Sequence, residues 1–223
     1  MEQAALQLQR QMEGTDERFS GTVRIACTDT TAMYLLFDVM AALREQHPDI
    51  RLVLTTATQF TNLTRREADI AVRSVRPGNP DLITRHLARC EVGLFAAFSY
   101  LAQRGEPQPD TAMAGHDVII YQRSVVRYQS DALCDEPIAN ARIALEVNSG
   151  LMMLQAVRAG LGIAELPTHM AEGDPLLRRV WPGLSRPYDM WLVLHSDLNR
   201  TARVRAVAQA IADAFERVFA KVT

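Results

Sequence analysis

Along the first third of the chain, short apolar runs alternate with stretches whose apolar positions recur every three or four residues. The stretch "TVRIACT" reads as a strand. Thr28, Asp29 and Thr30 then offer N-cap oxygens to a helix that carries Met33, Leu36, Phe37 and Met40 on one face. Pro48 ends that helix. "HPDIRLVLTT" supplies a second strand, "TNLTRRE" a short helix and "ADIAVR" a third strand. Strands that alternate with amphipathic helices predict a parallel sheet with helices on its faces.

Past the loop Pro77-Gly78-Asn79-Pro80, "LITRHLARCE" and "VGLFAAF" both read as strands, and "SYLAQRGEPQPD" as a short helix closed by Gly105. A second lobe is expected to begin here. It continues through "DVIIY", an Arg- and Gln-rich loop, "ARIALEV", the helix "GLMMLQAVRA" and "GIAELP". "DMWLVLH" is the last strand. The final helix places Val204, Val207, Ile211, Phe215 and Val218 at helical spacing, a stripe that must dock on an existing layer. Docked on the first lobe, it makes the chain cross between lobes near Glu91–Phe98 and again near Tyr188–Leu194. The expected architecture is α/β, with two Rossmann-like lobes joined by two crossover strands. Lobe 1 spans 21–95 and 192–223, lobe 2 spans 96–191, and the cleft between them is the default ligand site. Residues 1–20 form a connector, in which Ala5, Leu8 and Met12 keep helical spacing up to Gly14.

Composition narrows the function classes. The chain has 223 residues, 48% of them hydrophobic, enough for a sizeable core. Its net charge of -2 gives no footprint for holding nucleic acid alone. Cys27, Cys90 and Cys134 lie far apart without a CxxC, as suits a reducing compartment. Cys27 is expected to be buried and inert, Cys134 exposed. No signal-peptide core occurs, and the most apolar run, "AMYLLFDVMAAL", is too short to span a bilayer. The reading is cytoplasmic, with no membrane partner.

Catalytic chemistry is thin. GxSxG, HExxH and Walker motifs are absent, and His47, His86, His116, His169 and His195 lack metal-ligand spacing. No catalytic residue, metal or cofactor is expected. "GLGIAE" has Glu165 where a dinucleotide fingerprint needs its third glycine, and it leads into a strand.

What remains is a set of polar groups at strand ends, where parallel sheets receive ligands. Thr28, Asp29, Thr30 and Thr31 follow the first strand, Arg73 and Ser74 the third, and Asn148 and Ser149 follow "IALEV". Any one of these could be a plain N-cap or a solvated arginine. Their common location is what suggests a binding site.

The order and spacing of "GTVRIACT", "HPDIRLVL", "READIAVR", "LARCEVGLFAAFSYLAQRGEPQPDTAMAGHDVI" and "AVRAGLGIAELP" resemble the effector-binding domain of LysR-type transcriptional regulators, from about Gly21 to the final helix. The resemblance implies a fold like type 2 periplasmic binding proteins. It implies a small-molecule effector held between the lobes by Thr28, Asp29, Thr30, Thr31, Arg73, Asn148 and Ser149, with Phe60 as an apolar wall and Gln122 facing the cleft. It further implies a homodimer, or a tetramer at full length, and DNA contact only through an N-terminal winged helix-turn-helix that this chain lacks. "MEQAALQLQRQMEG" is similar to the tail of the linker helix that follows such a domain.

Arg73, threonine hydroxyls and two helix N-termini favour a small carboxylate as effector, whereas Asp29 would suit an amine. Arg76, further into the loop, is expected to be solvated. Two rival readings are a solute-binding protein of a transport system, which needs a secretion signal, and a thiol-redox regulator of the same fold, which needs two cysteines that meet.

Overall fold

The computed structural model describes residues 18–56, 68–123 and 131–219. They form two compact units, one holding 18–56, 68–89 and 189–219, the other 90–123 and 131–188.

In the first unit β1 (Gly21–Cys27) lies between β2 (Ile50–Thr56) and β3 (Ile70–Arg73), parallel to both. Strand β10 (Leu177–His195) adds antiparallel to β3, and the order is β2-β1-β3-β10-β4, with β4 spanning Leu82–Ala97. Alternation along the strands sorts two faces. Val23, Ile25, Ile70, Val72, Leu192 and Leu194 lie on one and are buried. Ala26, Ala71 and Val193 lie on the other, with Ala68, Leu82 and Trp191 packed against them. Helix α1 begins as a turn at Asp29–Thr31, passes through a π-helical turn at Ala32–Leu36 and continues as Phe37–Gln46. A five-residue 3-10 turn (Ser196–Arg200) leads into α5 (Ala202–Phe219), which packs on β1 and α1 and buries Val204, Val207, Ile211 and Phe215.

Two expectations change here. The face expected on α1 is only partly inward, because Met33 and Phe37 are 52% and 51% exposed while Leu36, Val39 and Leu43 are buried. A π-helical turn adds a residue to one turn, so a stripe drawn at 3.6 residues per turn loses phase across it. Val218, on the stripe of α5, is also exposed. The separate strands read in "LITRHLARCE" and "VGLFAAF" are one 16-residue strand, β4, and "DMWLVLH" is the end of a 19-residue strand.

The second unit pairs β5 (Asp117–Tyr121) parallel to β8 (Arg142–Val147), and β4 antiparallel to β9 (Ala164–Pro167). A two-stranded hairpin, β6 (Ala132–Leu133) and β7 (Glu136–Pro137), stands apart. Helices α2 (Phe98–Arg104), α3 (Gly150–Arg158) and the single turn α4 (Thr168–Ala171) complete it. Gly105, at φ +75, closes α2 where the sequence placed its end.

The "GLG" before β9 has a packing role. The Ile163 N–H donates to the Asp117 carbonyl (2.9 Å), and Ile119 N–H donates back to the Ile163 carbonyl (2.9 Å). A Cβ at Gly162 would stand 2.6 Å from that Asp117 oxygen. Gly162→Ala should therefore lower stability by more than about 2 kcal/mol, whereas Gly78→Ala, with nothing within 4 Å of the added carbon, should change it by less than about 0.5 kcal/mol. Urea midpoints for the two variants make the comparison, and equal midpoints would show that the close approach yields easily.

Candidate functional site

In the first unit the site begins where β1 ends. Thr28 is extended and its Oγ1 accepts from the Thr31 N–H (3.2 Å), so the hydroxyl caps the turn that starts α1. The Thr30 and Thr31 hydroxyls lie 3.0 and 2.8 Å from it, making a linked cluster of three. Asp29 Oδ1 accepts from the Thr30 N–H (2.8 Å).

The β1–β3 register pairs Ile25 with Ile70 and Ala26 with Ala71. Two residues further, in the same step, come Thr28 and Arg73, which places them at neighbouring ends of parallel strands on one sheet face. Arg73 is half-buried, and loss of water lowers its pKa. Directly across from it on β10 is Trp191, whose side chain rises from the same face. Arg76 is exposed, as expected, but is not adrift in solvent, because its guanidinium lies over the Trp191 ring at 5.2 Å.

In the second unit the corresponding edge is the carboxyl end of β5 and β8. Tyr121 pairs with Val147, and the Gln122 N–H donates to the Val147 carbonyl (2.8 Å). Gln122 therefore sits beside Asn148 and Ser149. Ser149 caps α3, its Oγ accepting from the Met152 N–H (3.2 Å). Asn148 is exposed and Ser149 half-buried. Phe60 lies outside the described residues. The structure thus gathers Thr28, Asp29, Thr30, Thr31 and Arg73 on one unit's edge, and Gln122, Asn148 and Ser149 on the other's.

Trp191 was not singled out from sequence. Its signal was the alternation of "DMWLVLH", which puts it in phase with Val193, but the pairing to Arg73 depends on strand order.

Cys134 is a correction. Expected to be exposed, it is 1% exposed. The β6–β7 turn runs through Cys134 and Asp135 at positive φ and tucks the thiol inward, with Sγ 3.7 Å from the Val92 carbonyl. Its N–H donates to Glu165, which also pairs with Arg186 at 2.9 Å. Burial and the Glu165 carboxylate push the thiol up to about 12. Cys27, buried as expected, is pushed up to about 12 by burial and then by Asp29. Cys90 is buried and hydrogen-bonded to Tyr188. All three are free thiols. Thiols that stay protonated and covered are poor nucleophiles. The native protein at pH 8 should therefore resist iodoacetamide at all three positions and take three labels after unfolding in urea. Rapid labelling of any one in the native state, read by mass spectrometry, would contradict this.

Among the described residues no cluster of three or more His, Cys, Asp or Glu could hold a metal ion. Among them, too, no helix is long and apolar enough to cross a membrane.

The architecture is the α/β fold of LysR-type regulatory domains, which is like that of type 2 periplasmic binding proteins. The regulatory domain of CrgA from Neisseria meningitidis superposes with a TM-score of 0.77 at 22% identity, covering 87% of this chain and 98% of that one. Full-length AphB, a virulence activator of Vibrio cholerae, gives 0.76 at 18% identity over 94% of this chain and 74% of its own. The family model described as the LysR substrate binding domain matches residues 16–216. The chain belongs to that family. Among curated proteins, the HTH-type transcriptional regulator CrgA of N. meningitidis serogroup C is 26% identical over 199 residues, which is 83% of this chain and 64% of CrgA. The HTH-type transcriptional activator AaeR of Escherichia coli K12 is 26% identical over 152 residues, 66% of this chain and 48% of AaeR. The chain therefore spans less than two thirds of these relatives. They are transcriptional regulators, which favours that reading over a transport component.

Proposed function

We propose that this chain senses a small effector for a LysR-type transcriptional regulator. The effector is held at the carboxyl edge of parallel strands and alters how an upstream winged helix-turn-helix domain engages DNA. The observation that carries the reading is the β1–β3 register, which sets the Thr28 cap beside a half-buried arginine at the carboxyl edge of a parallel sheet. A second hydroxyl-capped helix, at Ser149, stands at the matching edge of the other unit. Free N–H groups at helix starts and a partly desolvated guanidinium suit a small carboxylate. The chain acts as a binding protein and not as an enzyme, and works in the cytoplasm, where its regulator relatives would meet DNA.

A thermal-shift screen of small carboxylates and amines, followed by calorimetry on the hits, tests the site. Thr28→Ala and Ser149→Ala should each cost about 0.5–2 kcal/mol of capping and leave the protein folded. Affinity for a carboxylate hit should fall by more, roughly tenfold to a hundredfold for each lost charge-assisted bond. Arg73→Ala should weaken a carboxylate at least as strongly and leave an amine nearly unaffected. Unchanged affinity in three folded variants would move the site elsewhere.

The working unit is a homodimer, with a tetramer available at full length. The outward apolar residues of α1, Met33 and Phe37, and Met152 on α3, at 54% exposure, support this. They are large side chains exposed on helices that otherwise pack inward. Light scattering at micromolar concentration should give twice 24.9 kDa, and a concentration-independent 24.9 kDa species would count against it.

A further inference from the structure

The strands that end at Gln122 and Ser149 begin at a buried polar knot that no effector contact explains. Tyr100 on α2, His116 just before β5 and Asp117 at its first residue are 5%, 7% and 7% exposed. The Tyr100 hydroxyl oxygen accepts the Asp117 backbone N–H at 2.7 Å and lies 3.3 Å from His116 Nδ1. The Asp117 carboxylate accepts from Arg142 Nε on β8 at 2.5 Å and faces Arg104 Nη2 on α2 at 3.5 Å. The His116 carbonyl takes the Arg142 N–H, and the Asp117 carbonyl takes the Ile163 N–H, both at 2.9 Å. Asp117 thereby ties α2, β5, β8 and the turn before β9 together.

The Tyr100 oxygen accepts the Asp117 N–H, and among the described residues His116 Nδ1 is the acceptor within reach of its O–H, so that hydrogen is placed toward Nδ1. That requires a bare Nδ1, hence a neutral ring carrying its proton on Nε2. If His116 takes up a second proton, Nδ1–H meets Tyr100 O–H head to head. The new cation is also buried, with Arg104 on α2 repelling it and, among the described residues, only Asp117, already shared between Arg104 and Arg142, attracting it. The clash is relieved when the phenol turns away, and the Asp117 N–H then loses its acceptor.

We propose that the second unit is a proton sensor: uptake of one proton by His116 releases Tyr100 from the Asp117 N–H and loosens the amino ends of β5 and β8. The sign follows from the depressed pKa of His116, which burial causes first and Arg104 second. The tied arrangement is favoured above the ordinary histidine value of about 6.5, and weakens as the pH falls through it. This step stands whether or not the effector is bound where proposed, and its test uses no effector.

Hydrogen exchange followed by NMR, corrected to protection factors, reads the Asp117 amide directly. In the wild-type chain its protection should fall by about tenfold for each pH unit below the onset. In His116→Asn, whose Oδ1 replaces the Nδ1 acceptor without titrating, protection should stay level. His169, half-buried and held down to about 4, titrates in the same window, so its effect on overall stability should be alike in both proteins. Level protection in the wild type, or an equal fall in His116→Asn, overturns the proposal. Should that variant not fold, the ¹⁵N shifts of the wild-type ring decide: a neutral Nε2–H tautomer supports the sensor, and an Nδ1–H tautomer rules it out.

Discussion

Every candidate donor in this protein owes its place to parallel strand pairing. Parallel neighbours start together and finish together, so the residues that follow each strand collect on one edge. β1 pairs with β3 so that Ala26 meets Ala71, and β5 pairs with β8 so that Tyr121 meets Val147. The first pairing brings Thr28 and Arg73 to one edge, and the second brings Gln122 to Asn148 and Ser149. A shift of one residue in either would turn the side chains to the opposite face and disperse both groups.

Helix starts at those edges add directed chemistry. A Thr or Ser cap uses one side-chain oxygen to satisfy a backbone N–H, and the remaining N–H groups of the first turn still point outward with a partial positive charge. The linked hydroxyls of Thr28, Thr30 and Thr31 hold that turn in one geometry. On the sheet face beside it, Trp191 carries Arg76 on its ring and meets His86 edge-on at 5.0 Å, while His86 bonds Asp189 at 2.8 Å. The loop after β3 is anchored by this stack, so the chain beyond Arg73 is restrained on the side where the site is proposed.

The second unit is held differently. Its two parallel strands are short, and Asp117 joins them to a helix and a turn through its N–H, carbonyl and carboxylate. The hydrogen bond from Arg142 first, opposed by burial and helped by the nearby cations, keeps the carboxyl below its ordinary range. Glu165 does a related task at the β6–β7 turn, accepting from Cys134 and pairing with Arg186. In both places a carboxylate joins buried segments to an arginine, so the unit depends on polar ties as well as on burial.

The alternation of strand and helix periods, the caps at Thr28 and Ser149 and the stop at Gly105 were legible in the sequence because each is encoded within a few neighbouring residues. The family signature was legible for the same reason, as five short motifs in order. The phase of α1 was not, since a π-helical turn breaks the arithmetic that placed Met33 and Phe37 inward. Nor was the burial of Cys134, which depends on a turn at positive φ and on Glu165, 31 residues away. The partnership of Arg73 with Trp191, and the meeting of Tyr100, His116, Asp117 and Arg142, join residues that have no local reason to be together. Local propensity determined which elements form and where their caps lie. Strand order and register alone decided which distant side chains share a face, because pairing acts across the chain and leaves no mark on the residues between.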